Sequence, residues 1–265
     1  GALVSPAVRT DGKLRTEFSL SGTPDAPVGV GRISGDDLAV EIADEGLRLT
    51  GGTLRADFDA NQLRIDTLNF SSPSRVAPRD RRVGYAALTQ TPGTLTASGA
   101  MSLNDGDGQI RFSADRLPIF QRADRWLAVS GKGRIDTRWD APALAASFWA
   151  DGGYLEFAKS PPPSLSDDVV ILGDEPAVSQ RALTARIEVD LGNQLYLSAL
   201  GLDTRLEGKL LLQARAGETL RANGLKILSD GLIHSSQATL FKSNSADWSD
   251  AHRATLDALE DRLGI

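Results

Sequence analysis

"GLDTRLEGKLLLQA", residues 201–214, decides how the rest of the chain reads. As extended backbone it places Leu202, Thr204, Leu206, Gly208, Leu210 and Leu212 on one face, with Asp203, Arg205, Glu207, Lys209 and Gln213 on the other. Only Leu211 breaks the alternation. A period of two with one apolar side marks a strand that is wet on one face and dry on the other. What lies against the dry side is the functional question.

The pattern recurs along the chain. "LTARIEVDL" puts Leu183, Ala185, Ile187, Val189 and Leu191 together, ahead of a Gly192-Asn193 turn signal, and Leu195 and Leu197 join the same expected lining. "GTLTASGAMSL" groups Leu95, Ala97, Gly99, Met101 and Leu103; "GQIRFSAD" groups Ile110, Phe112 and Ala114. "LAVSGKGRIDTRW" groups Leu127, Val129, Ile135 and Trp139. These segments predict half-buried antiparallel strands joined by short turns, such as "NDGDG" at residues 104–108. Stretches that open on glycine and continue as a strand begin at Gly12, Gly52, Gly93, Gly131 and Gly208, with steps of 40, 41, 38 and 77 residues, which suggests an elongated repeat.

Two segments interrupt the strands. Residues 71–93 carry Arg75, Arg79, Arg81 and Arg82 between prolines and read as a basic loop. Residues 159–180 read as an irregular connector, because their prolines cannot sit in a central strand. From residue 225 the pattern changes, and Trp248, Ala251, Leu256, Leu259 and Leu263 predict an amphipathic helix near residues 246–263.

Composition narrows the function classes. In 265 residues 41% are apolar, but only 6% are aromatic and Met occurs once, so large core-filling side chains are scarce. A net charge of -6 argues against nucleic acid as a partner. Cysteine is absent, which removes disulfides and Cys-ligated metals. Catalytic constellations are thin. Both histidines, His234 and His252, lie in the atypical tail. "LNDGDG" lacks oxygen ligands at the first and twelfth positions of a calcium loop, Leu103 and Ala114. Asp36-Asp37 and Asp167-Asp168 are adjacent residues, which on a strand point to opposite faces and form no dyad by themselves. "GVGRIS" at residues 29–34 lacks the third glycine of a dinucleotide loop and reads as a strand passing closely over something. No enzyme activity, cofactor or metal is expected. The apolar face remains, either closed by a second sheet or left open as a trough for a fluid chain.

Residues 116–173 ("RLPIFQRADRWLAVSGKGRIDTRWDAPALAASFWADGGYLEFAKSPPPSLSDDVVILG") and 189–214 ("VDLGNQLYLSALGLDTRLEGKLLLQA") resemble the C-terminal region of the TamB family, the translocation and assembly module of Gram-negative bacteria. Residues 22–70 are similar to the region just before it. The resemblance covers residues 1–224 and implies an all-β, elongated, curved antiparallel sheet of fourteen to sixteen strands, a β-taco with an open apolar groove, here followed by one C-terminal amphipathic helix in an atypical tail, residues 225–265. It implies a periplasmic protein anchored in the inner membrane, phospholipid as cargo, and an outer-membrane Omp85-type, TamA-like partner. The likeness stops after residue 224, so it does not carry partner docking onto this chain. A scaffold that helps insert outer-membrane β-barrel proteins is the rival expectation.

Overall fold

The computed structural model describes residues 8–23, 26–157, 184–199, 202–215 and 221–233. Among the described residues twelve strands form one sheet. They are β1 (Val8–Thr23), β2 (Ala26–Ile42), β3 (Leu47–Asp59), β4 (Gln62–Ser72), β5 (Gly93–Ser102), β6 (Gly108–Gln121), β7 (Arg125–Asp136), β8 (Ala143–Phe157), β9 (Thr184–Asp190), β10 (Leu195–Ala199), β11 (Leu202–Ala214) and β12 (Arg221–Ile233). From β1 to β8 each strand pairs antiparallel with the next in sequence, through short turns everywhere except between β4 and β5, which residues 73–92 join. The expected turn at residues 104–108 joins β5 to β6.

The pattern then departs from the expected meander. β9 and β10 both run parallel to β8 and antiparallel to β11, so they lie end to end in one strand position. The Gly192-Asn193 signal therefore marks an interruption between two collinear strands and not a hairpin. Gly192 there has a φ of 62°, which a glycine adopts without strain. The expected lining residue Leu183, the connector at 159–180, Asp167-Asp168, both histidines and the helix near 246–263 lie outside the described residues.

The recurring glycines have a structural counterpart. Gly12, Gly52, Gly93, Gly131 and Gly208 fall in β1, β3, β5, β7 and β11, strands that run in the same direction, so one step of about 40 residues corresponds to two strands.

Register carries a single apolar face through the sheet, since residues directly opposite each other share a side. One row runs Ile33↔Ala56↔Ile65 from β2 to β4, and another runs Ile110↔Ile135↔Leu144 from β6 to β8. The dry face contains many glycines because large rings lie across them. A Cβ on Gly133 would sit 2.5 Å from Phe112 and one on Gly31 would sit 2.6 Å from Phe58, while Phe148 covers Gly131 and Phe70 covers Gly52 in the same way. A few aromatics thus fill the space that the scarce large side chains leave.

The sheet also rolls toward its dry face. Leu49 of β3 packs in one buried cluster with Ala114 and Leu117 of β6, three strand positions away. The Gln121 N–H donates to the Glu45 carbonyl at 3.0 Å, and Arg125 approaches Glu45 at 3.7 Å, fastening the β2–β3 turn to the β6–β7 end.

Candidate functional site

The dry face is the candidate site. Ile110 and Phe112 from β6, Leu127, Val129 and Ile135 from β7, Ile187 and Val189 from β9, Leu195 and Leu197 from β10, and Leu202, Leu206, Leu210 and Leu212 from β11 all project to it by register. Leu127↔Gly153↔Leu195↔Leu206 forms one row across four strand positions, and Ile187↔Leu212 and Val189↔Leu210 extend the face along β11.

Burial divides these residues into two groups. Leu191, Leu195, Leu197, Ala199, Leu202 and Leu206 form a cluster no more than 6% exposed, backed by Leu127, Leu155 and Phe157. Ile110, Phe112, Ile135, Ile187 and Leu212 are only half-buried. One end of the face is therefore packed on itself and the other is accessible. Trp139, grouped with this face by alternation, lies past the end of β7, is 56% exposed and rests against the 104–108 turn at Gly106.

Sequence reasoning missed the contribution of β8. Ala146 and Phe148 lie on the dry face, and so do Leu155 and Phe157, although the two pairs differ in parity. The register shift between Ala128 and Val129 leaves Asp151 unpaired and reverses the alternation. Burial pushes the Asp151 carboxyl above the ordinary carboxylate pKa, although Ser130 donates to it at 2.7 Å and Trp149 at 3.0 Å. "ADGGYLEF" held a signal for this in its acidic-glycine run, a frequent companion of bulges.

The wet face is not uniformly wet. Residues 73–92, within the 71–93 stretch read as a basic loop whose ends fall in β4 and β5, cross the outer side of β7, β8 and β10. They include a single 3-10 turn (Arg81–Val83) and the short helix α1 (Tyr85–Leu88). Val83 and Trp126 are both fully buried here, with Ala128 and Tyr154 beside them. Tyr85 meets Trp126 edge-on at 5.4 Å, and the Trp126 indole N–H donates to Ser74 at 3.2 Å. Arg82 sits 4.5 Å over the Tyr196 ring and bridges Asp80 and Asp203, while Arg79 pairs with Glu156 at 2.8 Å. The outer side of β8 and β11 is thus partly covered, with Arg79 and Arg82 acting as a clamp.

Elsewhere the wet face carries ion pairs such as Arg55–Asp36 at 2.8 Å, which gives the acidic pair at Asp36-Asp37 a structural partner. Among the described residues no cluster of His, Asp and Glu could hold a metal ion, and no helix is long and apolar enough to cross a membrane.

Residues 83–240 match the family described as the TamB C-terminal domain. The chain belongs to the TamB family. That family is a non-enzymatic assembly module acting in outer-membrane biogenesis, which places its members in the cell envelope. Short stretches are also similar to ATP phosphoribosyltransferases. The likeness is 64% identical over 50 residues, 19% of this chain and 21% of that protein, for Cereibacter sphaeroides. It is 51% identical over 47 residues, 18% of this chain and 14% of that protein, for both Rhodopseudomonas palustris (strain HaA2) and Nitrobacter hamburgensis. The match thus spans about a fifth or less of each of these relatives. No solved structure matches the chain.

Proposed function

We propose that this TamB-family chain is a segment of a non-enzymatic conduit that shelters phospholipid acyl chains on its dry face as they pass between inner and outer membrane. The observation that carries the reading is the continuity of that face: register links apolar side chains from β1 to β11, and Arg125, at a hairpin end of it, is met by Glu45. A closed core fits less well, because half-buried residues such as Phe112 and Ile187 have no second sheet against them among the described residues. Each acyl methylene withdrawn from water contributes about 0.8 kcal/mol, so transfer needs a continuous apolar path and no chemical step. Inner-membrane anchoring and docking to an Omp85-type, TamA-like partner belong to this proposal for the whole protein.

The test is detergent-free purification, solvent extraction and mass spectrometry. Co-purifying phospholipid is the expected result, and its absence counts against the conduit. Ile187→Asp is expected to fold and carry less lipid, since a carboxylate at this half-buried site can reach water yet obstructs an acyl chain. Leu206→Asp is expected to unfold the protein, because Leu206 is 5% exposed and a charge stranded there costs more than ~4 kcal/mol. Full lipid load in folded Ile187→Asp would remove the dry face as the path.

A second reading, a scaffold that offers its edge to strands of outer-membrane β-barrel proteins, is favoured by β1. This outermost described strand leaves Leu14, Phe18 and Leu20 61–69% exposed. Crosslinks from β1 to client strands in a protein free of lipid would select it.

A further inference from the structure

The wet face follows a charge rule with one exception. Where the register sets two charged residues directly opposite each other, their signs are opposite: Arg9↔Glu41↔Arg48, Glu17↔Arg32↔Asp57↔Arg64, Lys13↔Asp36 and Lys209↔Asp190. Among the described pairings Arg111↔Arg134 alone sets like charges opposite each other. Two like charges there, with Cβ atoms about 5 Å apart, destabilise the sheet.

The surroundings add to the cost. Lys132 lies two residues from Arg134 on the same face, and Arg186 continues the same cross-strand row through Ala145, spanning about 14 Å from β6 to β9. Arg186 is offset by Glu188 at 3.1 Å, and Arg134 has only a distant partner, Asp136 at 3.8 Å. Arg111 and Lys132 have no ion pair among the described residues. All four side chains are exposed and line one open cavity of about 710 Å³, floored by small residues including Ala145 and Ser147, where they outnumber the two carboxylates of the lining, Asp66 and Glu188. In a protein of net charge -6 this clustering is local, not a consequence of composition.

We propose that the Arg111–Arg134 pair, with Lys132 and Arg186, is a binding site for a phosphate-type oxyanion arriving from the aqueous side of the sheet. Two guanidinium forks one strand apart suit the oxygens of a phosphate, with the ammonium of Lys132 as a further point charge. A bound dianion turns the repulsive pair into a bridged one, which explains why the sheet carries it. The ligand is not the headgroup of a lipid lying in the groove, because acyl chains on the dry face leave their phosphate on the opposite side of the sheet from these arginines. It is a soluble or sugar-borne phosphate, and the site stands independently of the conduit reading.

The probe is inorganic pyrophosphate at low salt, read by thermal unfolding and calorimetric titration of the full chain. Pyrophosphate is expected to raise Tm, whereas sodium chloride at matched ionic strength is not. Arg111→Gln and Arg134→Gln are each expected to weaken pyrophosphate binding about tenfold. Each should also raise the Tm of the unliganded protein, a gain that loss of a merely structural residue would not produce. Arg15→Gln, on exposed β1 opposite Ser34, should leave both readings unchanged. An equal Tm rise in the two variants and the parent, or an equal rise with chloride, overturns the site. Binding to phosphatidylglycerol vesicles that depends on Arg111, without binding of pyrophosphate, overturns the aqueous source.

Discussion

At the scale of single residues, the contact that fixes the outer segment to the sheet is Val83 against Trp126. Val83 is fully buried against Trp126, so Val83→Ala is expected to cost roughly 1.5–3 kcal/mol, measured by denaturant unfolding; a cost near zero would mean the segment is not docked in solution. The polar side of the contact depends on pH. Burial pushes the Asp80 carboxyl up, but the hydrogen bonds and charge of Arg82 outweigh it and hold its pKa below the ordinary carboxylate value. A carboxyl with a depressed folded-state pKa contributes stability that is complete above its unfolded pKa and lost as pH falls through the folded one. Acidification below the ordinary carboxylate range should therefore loosen the segment and shift the indole N–H resonance of Trp126. In Asp80→Asn the shifted position should already be present at neutral pH. An identical acid profile in Asp80→Asn would take Asp80 out of the clamp.

At the scale of elements, legibility followed the regularity of the alternation. Ile187, Val189, Leu202 and Leu206 were readable because β11 keeps a period of two against β10 at one end and against β9 at the other. β8 was not, because the Asp151 bulge flips its parity midway, so the sequence presents Phe148 and Leu155 as facing opposite sides. Nor could alternation show that Gly192-Asn193 joins collinear strands, since direction is set by the partners β8 and β11 and not by the turn. Val83 on Trp126 and Arg111 opposite Arg134 are pairings across 43 and 23 residues, invisible without register. β1 supports a test of its own. It is a long edge strand with exposed Leu14, Phe18 and Leu20, the kind of edge that recruits further strands. Phe18→Lys is expected to leave unfolding within about 0.5 kcal/mol of the parent, because Phe18 is 61% exposed, while reducing self-association in sedimentation. A large loss of stability would show that Phe18 is covered in solution.

At the scale of the whole molecule, the sheet is a quasi-linear array in which each strand depends mainly on its neighbours, so stability need not be uniform along it. β7, β8 and β10 are covered twice: on the dry face by the cluster of Leu195, Leu197 and Leu206, and on the outer face by Val83, Tyr85 and Leu88. Toward β1 both coverings disappear, and that strand, apart from its half-buried first residue, is exposed throughout. Local opening near β7 and β8 must break two apolar layers as well as the ladder, whereas opening of β1 breaks one ladder alone. Protection against native-state hydrogen exchange is therefore expected to decline stepwise from a maximum at residues 126–130 and 150–154, through β3 and β4, to a minimum in β1. Val83→Ala should lower the maximum while leaving β1 unchanged. Uniform protection from β1 to β8 would mean that the sheet opens as one cooperative unit. Protection of β1 equal to that of β7 would mean that the edge is paired in solution with a second strand.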